Sequence, residues 1–330
     1  MRTDEPAQPQ AFDGKRFQGK RFQGKRFQGK RFQGDGFQGD GSKDDSTQDG
    51  TAHPADLDAL PFVEATLVYA AASAEKLRTY TFAPPPGHAW TNVVAEPHSV
   101  VIRDMRPIGA ALDLDRHGFE LLRHVSAVGD FWNEDAVRSL YYREAETLLK
   151  AATGADRVHV FDHTLRRRVP GAEDVRGEGP RQPANRVHVD QTVKSGPERV
   201  RFELPDEAEA LLRGRVEIIN LWRPLKGPLY DAPLALCDAT SVAARDLVAA
   251  DLVFPARTGE IYLLNFDPAQ RWFYVRGMEA NEVLLLKCYD SATDGRARFA
   301  PHGSFLDPTA PKDTPLRESI EVRAMVFHRA

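Results

Sequence analysis

The sequence predicts a mainly β protein, a β-sandwich or jelly roll with helices packed outside, and three observations predict it. Beyond Gly154 apolar residues recur with period two in segment after segment. Turn-forming residues separate these segments, and sustained helical patterning is confined to a few stretches.

The strand-like runs are Arg157–His163, Arg186–Asp190, Val216–Trp222, Glu260–Phe266, Trp272–Val275, Val283–Tyr289 and Arg317–Phe327. Upstream, from Ala59, short mixed segments include Ser99–Ile102 and the alternating Ala110–Leu114. One helix is well specified over Asn133–Ala152. Asn133 can cap it, Val137, Leu140, Tyr141, Leu148 and Leu149 recur on one side, and Gly154 can end it. A second helical segment, Ser241–Ala250, reads as an insertion between strands.

At 330 residues and 42% apolar side chains, the chain can bury one large core or two modest ones. The expected organisation is a disordered tail over residues 1–51 and a single catalytic domain over 52–330. The tail carries a five-residue repeat, Gly-Lys-Arg-Phe-Gln, from Gly14 onward, and its glycine and charge cannot bury enough apolar surface to offset chain entropy. Gly34–Gly39 matches the GxGxxG letters. It lacks the strand before and the helix after that the dinucleotide fingerprint requires.

The formal charge of −4, from 44 basic and 48 acidic residues, gives no reason to expect nucleic acid or an anionic membrane as partner. A small-molecule substrate is the default, and the oligomeric state is not legible. Two cysteines, Cys237 and Cys288, at no close spacing, exclude a disulfide framework. With no apolar signal segment or bilayer-length apolar run, the expected location is cytoplasmic.

In a strand, residues i and i+2 face the same way, so His188 and Asp190 of His-Val-Asp can offer an imidazole and a carboxylate to one ion. With a distant His they would make a two-His-one-carboxylate set that leaves coordination positions open. The tripeptide alone is weak, since about 0.7 occurrences are expected by chance at this composition, and an ordinary ion pair on a half-exposed strand is the simpler account of it alone. His302, in Pro301-His302-Gly303-Ser304-Phe305, supplies the candidate third ligand.

Arg317, Ser319, Glu321 and Arg323 share one face of the last strand by parity, with Ile320, Val322, Ala324 and Val326 on the other. A guanidinium fork with a hydroxyl two residues away suits a carboxylate. The bland alternative for Arg317 and Arg323 is a surface charge ladder with Glu318 and Glu321. His163 is a candidate polar group of the site or a hydrogen-bonded core histidine. Trp222, Arg223, Trp272 and Tyr274 are candidates for a substrate wall, Arg223 for holding a substrate carboxylate, and both tryptophans serve equally as core.

These segments together resemble a known family. They are Phe161-Asp162-His163-Thr164, Arg186 to Thr192, Asn220-Leu221-Trp222-Arg223-Pro224, Pro233 to Asp238, Lys287 to Ser291, Pro301-His302 and Arg317 to Arg323. From about Thr66 onward the chain resembles the Fe(II)/2-oxoglutarate-dependent hydroxylase/desaturase family of secondary metabolism. That group includes the cephamycin-pathway methoxylation protein and fungal gibberellin desaturase-like proteins. The resemblance implies a double-stranded β-helix (cupin-like jelly roll) and Fe(II), 2-oxoglutarate and O2 as cofactor and co-substrates. It puts the metal ligands on His188, Asp190 and His302, and Arg317, Ser319 and Arg323 are the candidates to bind the 2-oxo acid, with the choice of arginine open. The implied reaction is C–H abstraction that hydroxylates, desaturates or cyclises a small natural product. Gln270, in Pro268-Ala269-Gln270-Arg271-Trp272, stands where the family pattern carries a histidine.

Two other classes remain open from sequence. One is a cupin-like metal enzyme that is no oxygenase, an isomerase or hydrolase, against which Arg317 and Ser319 argue. The other is a non-enzymatic binding module whose surface is the basic repeat. A serine hydrolase lacks its GxSxG elbow.

Overall fold

The computed structural model describes residues 57–172 and 181–329. All of these lie in one unit bounded by Thr47–Ala330. The repeat, its expected disorder and the Gly34–Gly39 match lie outside the described residues.

Fourteen strands are described, and they form two sheets. They are β1 (Phe62–Ala70), β2 (Leu77–Tyr80), β3 (Ala95–Asp104), β4 (Phe119–Arg123), β5 (Arg157–Arg167), β6 (His188–Val189) and β7 (Val216–Pro224). There follow β8 (Leu234–Cys237), β9 (Leu247–Val253), β10 (Thr258–Leu264), β11 (Trp272–Tyr274), β12 (Glu282–Asp290), β13 (His302–Ser304) and β14 (Glu318–Phe327). One sheet runs β1-β3-β11-β8-β13-β6-β10-β9-β2 and the other β4-β12-β7-β14-β5. The strands are joined as a jelly roll, as the turn-rich β pattern predicts.

Alternation decides what each face touches. Leu234 and Leu236 of β8 and Phe273 of β11 meet Phe119, Trp222, Leu284 and Leu286 of the second sheet, closing the space between the sheets. Their neighbours Ala235, Cys237, Trp272 and Tyr274 point the other way, into a cluster with Leu67 and Tyr69 of β1. On the back of the smaller sheet, Ile219, Leu221, Ile320, Val322, Ala324 and Val326 pack on Val137, Tyr141, Ala145 and Leu149 of a helix. The parity expected for the last strand is therefore observed.

That helix begins where Asn133 accepts a hydrogen bond from the backbone of Ala136 at 3.0 Å. It passes through one π-type turn at Val137–Tyr141, continues over Tyr142–Thr153, and stops at Gly154 with φ of 69°. Leu140 departs from expectation, being 37% exposed. The wide turn keeps Val137 and Tyr141, four apart, on the buried side and leaves Leu140 beside them facing out.

The expected helix at Ser241–Ala250 is replaced by two short 3-10 turns, Ala239–Ser241 and Ala244–Asp246, and then β9. The Asp246 carboxylate accepts from the Ala243 backbone at 3.1 Å and holds the second turn. The following residues find strand partners on both sides, β10 antiparallel and β2 parallel. Such pairing overrides local helical preference. At Ala110–Leu114 the alternation falls partly in a 3-10 helix, Arg106–Ala111, entered through Pro107.

Candidate metal and anion site

β6 and β13 are neighbours in the larger sheet, and their register sets His188 opposite His302. The two imidazole centroids lie 4.6 Å apart. Asp190 follows β6 on the same face, with Oδ1 3.4 Å from His188 Nε2. One ligand atom from each of His188, Asp190 and His302 lies within 4.8 Å of the others. Three residues far apart in sequence thus converge because an i, i+2 pair on one strand meets a single residue on its neighbour.

The other atoms of these groups are already committed. His188 Nδ1 donates to the Arg186 carbonyl at 2.8 Å and His302 Nδ1 to the Ala300 carbonyl at 3.0 Å, which leaves each Nε2 for the centre. Asp190 Oδ2 accepts from Asn220 Nδ2 and from Arg323 Nε, both at 2.8 Å, which turns Oδ1 inward. Outer bonds of this kind orient metal ligands and fix the imidazole tautomer. His302 is 2% exposed, and its Nε2 is buried without a hydrogen-bond partner. A buried, unsatisfied acceptor is costly unless something fills the place it points to. The donor set, two nitrogens and one oxygen with further positions open, suits an Fe(II) ion.

Electrostatics agrees. Burial raises the Asp190 carboxyl, but Arg323, His188 and His302 outweigh it and hold the group well below the ordinary carboxylate range. Burial and the neighbouring His188 lower His302, favouring the neutral imidazole that a metal needs. Burial also acts to lower His188, yet its contact with Asp190 prevails and raises it.

Beside this centre is a narrow cleft that touches His188, His302, Trp222, Arg166, Arg317 and Glu321. Arg317 is 2% exposed. Its Nε donates to Ser319 Oγ at 3.0 Å, and its Nη1 donates to Ser304 Oγ at 3.0 Å and to the Ala232 carbonyl at 2.9 Å. The guanidinium lies 4.9 Å over the Trp222 ring. Among the described residues no carboxylate pairs with its guanidinium, and burial together with Arg166 works against its charge. A buried cation held by neutral groups next to an open cleft suits an anionic partner.

Other candidates sit elsewhere. Arg323 bonds Asp190, Asp162, Thr164 and Glu321 and is spent on holding the carboxylates in place, so it is not free for a 2-oxo acid. Arg223, one residue from Trp222 on a strand, faces the opposite side. It bonds the carbonyls of His124 and Ala280 and lies over the rings of Phe131 and Tyr141. His163 bonds the Tyr142 hydroxyl at 2.9 Å and lies 3.1 Å from Glu134, on the helix side of β5. Trp272 and Tyr274 are buried on the far face of β11, where Trp272 meets Tyr69 edge-on. Of the expected wall, Trp222 alone reaches the cleft. Gln270 bonds the Asn265 carbonyl and Asp246, bracing a loop.

Sequence reasoning assigned no role to Asn220, Ser304 or Arg166. Asn220 lies within the Asn220–Pro224 segment and Ser304 follows His302 by two residues, so strand parity is the available signal. A second acidic trio, Asp115, Glu217 and Asp290, also brings its oxygens within 4.8 Å. Its centre is taken by the Lys287 ammonium, 2.6, 3.0 and 2.9 Å from the three carboxylates in that order.

Residues 67–327 match the family model described as "Oxidoreductase/YMDC permease-like domain". The hydroxylase/desaturase efuI of Hormonema carpetanum is 35% identical over 248 residues, 69% of this chain and 83% of that protein. The Fe(II)/2-oxoglutarate-dependent dioxygenase nvfI of Aspergillus novofumigatus is 33% identical over 259 residues, 75% of this chain and 90% of that one. A solved structure of the iron and alpha-ketoglutarate-dependent endoperoxidase NvfI superposes with a TM-score of 0.73 at 30% identity, covering 82% of this chain and 99% of that chain.

Proposed function

The chain belongs to the Fe(II)/2-oxoglutarate-dependent hydroxylase/desaturase family, and from that membership we propose that it oxidises a small natural product at an iron held by His188, Asp190 and His302. The observation that carries the ligand assignment is the His302 Nε2, buried without a partner and converging with His188 and Asp190. Iron with 2-oxoglutarate and O2 supplies the oxidising power for hydroxylation, desaturation or cyclisation at a C–H bond.

The protein's own part is binding, orientation and exclusion of water. Arg317 would take the far carboxylate of 2-oxoglutarate, with Ser319 and Ser304 fixing the guanidinium plane. Trp222 packs against that guanidinium and closes one wall of the cleft. Arg323 and Asn220 keep Asp190 ionised and aimed. A hydrolase or isomerase would have no use for a buried, unpaired arginine beside its metal.

Among the described residues no helix is long and apolar enough to cross a membrane. We infer a cytoplasmic setting, supported by Cys237 and Cys288 being free thiols.

The test is formation of succinate from 2-oxoglutarate by the purified full chain. Dependence on both Fe(II) and O2 is the expected result. No succinate with all three present, across a panel of natural-product scaffolds, would sink the proposal.

A further inference from the structure

Next to the metal-facing end of β6 is a second, larger cavity of about 210 Å³ that has Asp190 in its wall. It lies between the Ser195–Glu203 helix and the β9–β10 hairpin, whose turn is closed by Phe254 N donating to the Arg257 carbonyl at 2.8 Å. Its apolar walls include Phe202 from the helix and Phe254 from the hairpin.

Two guanidinium groups enter this cavity. Arg199 is paired with Glu203 at 3.1 Å and lies 5.3 Å over the Phe161 ring. Arg257 lies 4.2 Å over Phe254 and 5.2 Å over Phe202. Its position is fixed by these two rings, and among the described residues no carboxylate is within ion-pair distance of it. Burial and Arg199 disfavour its charge and outweigh Glu203 and Asp162, which favour it. Among the described residues no carboxylate bonds this half-buried cation, and it opens onto the cavity that touches Asp190.

We propose that Arg257 recognises a carboxylate on the substrate, so that the substrate class is an apolar small molecule bearing one carboxylate. This rests on the oxygenase reading above. A planar fork held between two aromatic faces suits a carboxylate, whose two oxygens match two parallel N–H groups. Of the charged groups in the wall, Arg199 is paired with Glu203, Glu260 with Lys76 and Asp190 with Arg323, which leaves Arg257, with Glu198 also in the wall, as the cation to meet a single carboxylate. The aromatic walls take the apolar body. The substrate carboxylate once expected at Arg223 is thereby assigned to a different arginine, since Arg223 faces the helix on the back of the smaller sheet.

The experiment is calorimetric titration of the full chain, held anaerobically with Fe(II) and 2-oxoglutarate, against fused-ring carboxylic acids led by 1-naphthaleneacetate and against their methyl esters. At least one acid is expected to bind about ten-fold or more tightly than its ester, in line with a partly buried charge-assisted pair. In Arg257→Met, which keeps an apolar stem between the rings, acid and ester should bind within about two-fold of each other. Arg257→Gln serves if the first variant melts early. Equal binding of every acid and its ester by the parent chain, or an acid preference that survives in the variants, overturns the proposal. Failure of the oxygenase reading would show separately, as loss of succinate formation with the acid preference intact.

Discussion

Arg323 donates its Nε to Asp190 Oδ2 at 2.8 Å, across 133 residues of sequence, and so fixes the one carboxylate of the candidate metal site from behind. Asn220 shares that oxygen from the adjacent strand. The two donors come from β14 and β7, which pair with Arg323 opposite Asn220. The smaller sheet thus orients a ligand carried by the larger one.

Asn220→Ala removes one of these bonds without disturbing the buried charges. Fe(II) affinity should fall about 10-fold to 100-fold, as for loss of an outer partner of a metal ligand. The melting temperature should change little. Titration of the metal with a competing chelator measures it, and unchanged affinity would mean that Arg323 suffices alone.

Arg317→Lys keeps a positive charge and loses the fork. The Ser319 and Ser304 bonds depend on its planar donors, so the KM for 2-oxoglutarate should rise by about 10-fold or more while Fe(II) affinity stays near the parent value. Steady-state assay of succinate at varied 2-oxoglutarate reads the split. Equal KM values would remove Arg317 from the anion site.

Lys287 is fully buried among Asp115, Glu217 and Asp290. Lys287→Met should destabilise the fold by about 3–5 kcal/mol, because it strands buried carboxylates without a counter-ion. The parent's pH dependence follows from the same cluster. Burial raises Asp290 and Asp115, but Lys287 and Arg215 lower both below the ordinary 3.8. Carboxyls depressed in the folded state contribute stability that is fully present above 3.8 and lost as pH falls through their lowered values. Urea unfolding at a series of pH values should show stability declining below about pH 4.

Cys237 and Cys288 are buried, and burial pushes both thiols up. Neither should react with a thiol-specific aromatic disulfide at pH 8 in the native protein, whereas both should react in denaturant. Fast labelling of either without denaturant would contradict the packing described.

Much of the candidate site was legible because it is built on strands, where parity ties neighbours to one face. His188 with Asp190, and Arg317 with Ser319, were readable in this way. Parity fails where a strand is buried on both sides. β7 is buried along its whole length, so the sequence offered no sign that Trp222 faces the cleft and Arg223 the helix. The same ambiguity hid the outward turn of Trp272 and Tyr274, for β11 is three residues long and wholly buried. His163 sits across from Val322 on β14, an apolar position of the helix-facing side, and this register is set by pairing that no local pattern specifies. The Arg257 cavity was invisible for another reason. It arises where the Ser195–Glu203 helix meets the β9–β10 hairpin, distant in sequence, and only tertiary packing brings the two together.

The most direct test of the central claim is equilibrium dialysis of Fe(II) and labelled 2-oxoglutarate, under anaerobic conditions, against the parent chain, His302→Ala and Arg317→Met. The account predicts one iron and one 2-oxoglutarate per parent chain, loss of tight iron binding in His302→Ala, and iron without 2-oxoglutarate in Arg317→Met. Iron held as tightly by His302→Ala as by the parent, or 2-oxoglutarate bound equally well without Arg317, would contradict it.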